Sequence, residues 1–117
     1  MSREILFRIF AAVFLAAAAY HAAACLHPAF SLGGSSGRHA AFAVIDAMCA
    51  LGLLRRPRWF VVLFGALTAE TIWSHGKRAW ILLETEQRID WISLLAVLLV
   101  PCVLVFLIKD AIDRRHG

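Results

Sequence analysis

Apolar residues dominate four stretches of the chain, and polar or basic residues mark the gaps between them. The first stretch runs from Ile5 to Leu26, behind Arg3 and Arg8. The second runs from His39 to Leu54, between Arg38 and Arg55. The third runs from Trp59 to His75, and the fourth from Ile89 to Ile108, closed by Lys109, Arg114 and Arg115. No stretch alternates with a period of two, so barrel strands are excluded and helix is the spanning structure that satisfies the backbone inside a bilayer. The pattern predicts an all-α integral membrane protein. Its four transmembrane helices (about 5–26, 39–54, 59–75 and 89–108) form one domain, an up-down-up-down four-helix bundle.

The punctuation supports this division. Pro28 stops the first helix, and Gly33-Gly34-Ser35-Ser36-Gly37 reads as a flexible connector. Arg55-Arg56-Pro57-Arg58 is a tight basic turn that would fold the second and third runs into a helix hairpin. These two runs are short, so Trp59 and Trp73 are expected at the interfaces. The stretch from Gly76 to Arg88 is mixed, and it either continues the third helix or lies at headgroup level with Trp80. Pro101 removes a hydrogen bond inside the last span. A cleaved signal peptide competes for the N-terminal run, with its basic start and small residues at Ala22-Ala23-Ala24-Cys25. His21 interrupts the apolar run, which favours a retained span.

Composition strengthens the membrane reading. In 117 residues, 62% are hydrophobic and 17% charged, an apolar excess that a small soluble globule cannot hide. The net charge of +4 does not point to nucleic acid, because the basic residues lie between apolar runs rather than on one face. They carry topology instead. Eight of the 12 Lys and Arg residues fall at the N-terminus, the Arg55–Arg58 turn and the C-terminus, which places both termini in the cytoplasm. Arg-rich, Ala-rich usage suggests a bacterial inner membrane. The expected partners are the lipid bilayer and, through small-residue helix faces, a second copy in a homo-oligomer. Cys25, Cys49 and Cys102 read as core thiols, since no C-x-x-C pair exists.

The candidate chemistry lies in polar residues inside the apolar runs, where ionisable groups are costly. His21 falls in the outer half of the first span, Asp46 near the midplane of the second, and Glu70 in the outer half of the third. His39 and His75 fall at outer ends. Glu70, Thr71, Ser74 and His75 fit an arc of about 140° at helical spacing. His39 and Asp46 are seven apart and share a face with Ala43 and Ala50. Together they outline an outward-opening polar pocket.

Three functions fit such a pocket. One is a site that binds or carries a small molecule, ion or lipid with proton linkage. Another is a structural or accessory subunit whose buried acids and histidines only fix helix packing. The third is a metal-dependent membrane enzyme drawing on His21, Glu70 and His75 with Asp46 or His39. For that third reading no H-x-x-x-H or E-x-x-H spacing exists. No nucleophile elbow or phosphate loop occurs, so no catalytic residue and no cofactor is assigned.

Length and the polar lead Gln87-Arg88-Ile89-Asp90 before the last span resemble the small multidrug-resistance transporters. That resemblance implies four helices and a dimer. It assigns no site residue, because that family's functional carboxylate lies in its first span, where this chain has His21 and no acid.

Overall fold

The structure, a computed structural model, describes residues 1–116. Four long helices and one short 3-10 turn account for the regular structure, and no strand occurs among the described residues. Helix α1 spans Arg3–Leu26, α2 Ser36–Arg55, α3 Phe60–Glu86 and α4 Trp91–His116. At 1.5 Å per residue these are about 30 to 40 Å long.

Local chemistry sets most of the ends. The Ser2 side chain accepts a hydrogen bond from the Ile5 amide at 3.4 Å, with Glu4 in the first turn, the arrangement that satisfies orphan amides and the helix dipole. His27 leaves α1 in an extended conformation, and Pro28 opens the 3-10 turn.

Three helices extend beyond their apolar runs. Helix α2 begins at Ser36 rather than at 39. Helix α4 runs to His116 rather than 108. Helix α3 continues from 75 to Glu86, which resolves the mixed stretch in favour of a continuing helix. Helical bonding needs no apolar side chain, and Lys, Arg, Glu and Leu are all good helix formers. α3 stops at Gln87, which adopts the left-handed conformation (φ 51°), while the Arg88 amide reaches back to the Leu82 carbonyl at 3.3 Å.

Helices α1, α2 and α4 are long and apolar enough to cross a membrane. Glu70, Ser74, His75 and Lys77 dilute the apolar run of α3, which falls outside that group. Only 28%, 28% and 22% of the apolar windows of α1, α2 and α4 are buried within the protein. Leu95, Leu98 and Val105 of α4 are each more than 60% exposed. Single exposed apolar residues are ordinary, but whole uncovered helix faces mark an interaction surface, here one suited to lipid.

The chain divides into two compact units, the first ending at Arg55 and the second starting at Arg56. In the first unit α1 packs on α2. Phe7, Phe10, Ala11, Phe14 and Ala18 of α1 are buried at spacings of three and four, as are Asp46, Cys49, Ala50 and Leu53 of α2. In the second unit α3 packs on α4, with Phe60, Phe64, Val103 and Leu107 among the most buried side chains. Arg56, just before α3, donates to Asp110 near the end of α4 at 3.2 Å. Arg114 contacts Asp110 at 2.8 Å and donates to the Arg56 carbonyl at 2.7 Å. His75 and Arg78, far along α3, meet Ser93 and Asp90 at the start of α4. The two helices therefore run in opposite directions.

Candidate functional site

The polar cluster of the first unit begins in the connector. Gly33 and Gly34 have φ of 122° and 99°, values that glycine adopts without a Cβ penalty. A Cβ on Gly34 would meet His39 Nε2 at 3.5 Å. This turn aims the Gly33 carbonyl at His39 Nε2, 2.9 Å away, with Ser31 Oγ 3.1 Å from the same nitrogen. The Tyr20 hydroxyl accepts from the Leu32 amide at 3.3 Å and pins the other side of the turn. The Gly/Ser run is thus a shaped turn, where the sequence suggested only a flexible one.

His39 is buried, 5% exposed. Its Nδ1 lies 2.9 Å from Nδ1 of His21 on α1. His21 in turn places Nε2 3.8 Å from Oδ2 of buried Asp46. Phe42 stacks on the His21 ring at 5.4 Å, and Tyr20 lies against both imidazoles at 5.0 and 6.1 Å. The Arg38 guanidinium sits over the outer face of Phe42, and Cys49 lies one turn beyond Asp46.

Donor and acceptor rules count the hydrogens in this row. A carbonyl only accepts, so His39 Nε2 carries a hydrogen for Gly33. Two bare nitrogens at 2.9 Å would repel, so one hydrogen lies between the Nδ1 atoms. Neutral His39 then has a bare Nδ1, which accepts from His21 Nδ1–H, so two neutral imidazoles satisfy both contacts. Asp46 Oδ2, 3.8 Å from His21 Nε2, is beyond hydrogen-bond reach but close enough to pair with that ring when it is protonated. The His21 side chain is 23% exposed, which gives the row an opening.

The second unit holds a different cluster. Asp90 immediately precedes α4; its carboxylate accepts from the Ser93 amide at 3.2 Å and the Ser93 hydroxyl at 2.8 Å. Arg78 Nε donates to Asp90 Oδ2 at 3.0 Å. Because Ser93 Oγ donates to Asp90, His75 Nδ1, 3.0 Å away, is the donor to Ser93. The polarity is the reverse of a nucleophilic serine, whose hydrogen passes to the imidazole. Ser93 is also only 2% exposed. Here Asp90 caps α4, and Ser93 and His75 tie that end of α4 to α3. Burial pushes the Asp90 carboxyl up, but the two Ser93 hydrogen bonds and Arg78 together outweigh it and hold the group below its ordinary 3.8.

Of the residues singled out in the sequence, His21, His39 and Asp46 come together. His75 joins Ser93. Glu70 is exposed on α3 and has no hydrogen bond or ion pair among the described residues. Thr71 is buried. Ser74 has a buried hydroxyl with no partner among the described residues. Ser31, the Gly33 carbonyl, Tyr20, Phe42, Asp90 and Ser93 were missed. Asp90 immediately before an apolar run is a legible N-cap signal. Nothing in the sequence flagged the other five. No group of three His, Cys, Asp or Glu side chains converges to hold a metal ion among the described residues.

Comparison with known proteins places the chain in no family. No family model fits it, and no curated protein or solved structure matches it. The likeness at Gln87–Asp90 gains no support from them. What stands is a helical protein with three segments suited to crossing a membrane and, in its first unit, a hydrogen-bonded histidine pair beside a buried aspartate.

Proposed function

We propose that this chain is a small multi-pass protein of a bacterial inner membrane, with all four helices inserted and both termini cytoplasmic. Its functional site is the His21–His39–Asp46 row in the outer half. There it holds one exchangeable proton and links it to the binding or carriage of a small molecule, ion or lipid. The observation that supports this most is the partly exposed His21 ring, whose Nε2 lies 3.8 Å from the buried Asp46 carboxylate, so that a proton taken up there would face a counter-charge.

The packing alternative draws on the second unit, where His75, Ser93, Asp90 and Arg78 have a structural role. On that reading the first unit uses its histidines in the same way. The metal-enzyme alternative has no converging ligand set behind it.

Two measurements separate the first two readings. Full-length protein with ¹⁵N-labelled histidine is titrated in detergent across the imidazole range. Protonation of His21 should depend on Asp46; a His21 titration that Asp46→Asn leaves unchanged would contradict the pairing. Proteoliposomes with a trapped pH dye and a potassium diffusion potential then report proton entry. Wild type and His75→Gln should exceed protein-free vesicles, and Asp46→Asn should not. Entry that Asp46→Asn leaves unchanged, or no entry in wild type, favours the packing reading.

A further inference from the structure

The second unit contains a hollow that neither cluster uses. It has a volume of about 260 Å³ and is walled by Gly76, Ala79, Trp80 and Leu83 of α3 and by Leu94 and Val97 of α4, with Asp90 at one end. Small residues create it. A Cβ on Gly76 would meet nothing within 4 Å, and Ala79 adds only a methyl group. Trp80 stands beside it, 62% exposed. The volume falls just under the usual range for enclosed small-ligand sites, and the hollow is an open furrow rather than a closed cavity. Its walls are apolar, which suits a hydrocarbon chain lying along the helices.

Charge at the end of the furrow narrows the occupant. Asp90 takes only the Nε–H of Arg78. That single bond fixes the guanidinium at the lip of the furrow, 61% exposed, and leaves both terminal Nη groups free to donate. A planar fork with two parallel donors is the geometry that phosphate oxygens fit. Lys77 precedes it on the exposed side of the same turn. Trp80 is the residue type that sits at headgroup depth.

We propose that this furrow binds one anionic phospholipid, with an acyl chain against Gly76, Ala79, Leu83 and Val97 and the phosphate on the outward edge of Arg78. Asp90 is a positioning residue for that guanidinium. The Gln87 turn fixes the spacing between the two walls by ending α3 four residues before α4 begins. This inference rests on the membrane reading but not on the proton site.

The test uses full-length protein in a mild detergent and native mass spectrometry with chain-matched phosphatidylglycerol and phosphatidylcholine. Wild type should retain one phosphatidylglycerol, in preference to phosphatidylcholine by about fivefold, the scale of one basic side chain at an anionic lipid surface. Arg78→Gln should lose the preference, and Arg78→Lys should keep part of it. Gly76→Leu should reduce retention of both lipids, because its side chain enters the furrow from a Cβ that meets nothing within 4 Å. Equal retention of the two lipids by wild type, or a preference that survives Arg78→Gln, overturns the proposal. So does full retention by Gly76→Leu with an unchanged helical spectrum. Millimolar inorganic phosphate is added as a separate arm: displacement of the lipid by it would make free phosphate the ligand and overturn the lipid assignment. Release of the protein from membranes in alkaline carbonate would sink the membrane reading itself. Firm retention there with no lipid preference would sink this inference alone.

Discussion

Asp90 shows how much one short side chain can organise. It caps α4, positions Ser93 for His75 and fixes Arg78. Asp90→Ala removes the cap and should lower stability by about 1 kcal/mol, read as a lower thermal midpoint in detergent. The acid limb follows from its lowered carboxyl. A group whose folded value is depressed contributes fully above its unfolded value, near 3.8, and loses that contribution as pH falls through the lower folded value. Wild type should therefore lose stability more steeply below about pH 4 than Asp90→Asn, in which the position no longer titrates. Parallel acid limbs for the two proteins would refute this. Asp90 was legible as an N-cap. The partnership of His75 with Ser93 was not, because it joins residues 18 positions apart on two helices.

Among the elements, α3 departs furthest from its sequence expectation. Its apolar run ends near His75, yet the helix continues through a charged stretch to Glu86. Hydropathy locates lipid-facing segments, whereas helix is ended by backbone chemistry, here a left-handed residue with no glycine to signal it. Gln87 carries the steric cost of its Cβ at φ 51°. Gln87→Gly should stabilise the protein by about 1 kcal/mol, measured as a raised thermal midpoint. A lowered midpoint would mean that the Gln87 side chain holds the turn instead. α4 runs unbroken through Pro101, and α2 starts three residues before its apolar run.

At the scale of the whole molecule, the distribution of Lys and Arg makes the sharpest prediction. Fluorescent-protein fusions at residue 117 should glow in cells, and alkaline phosphatase fusions there should be inactive. A phosphatase fused after Ser35 should be active, since the first connector is expected outside. A reversed pattern would overturn both the orientation and the outer placement of the histidine row. The division at Arg55 and Arg56 also belongs to this scale. The basic turn that suggested a hairpin is where one compact unit ends and the next begins.

The sequence by itself determined the helical class, the approximate position of every long helix and the lipid-suited character of three of them. Those properties follow from runs of neighbouring residues, and burial of apolar surface is non-directional. It also picked out His21, His39 and Asp46, because imidazoles and carboxylates stand out inside apolar runs. Only the tertiary structure decided that these three form a row, that His75 meets Ser93 at the start of α4, and that Glu70 stays exposed. Hydrogen bonds depend on distances of about 3 Å and on which nitrogen faces which partner. That geometry comes from the Gly33–Gly34 turn and the approach of α1 to α2, which no spacing within a single helix encodes.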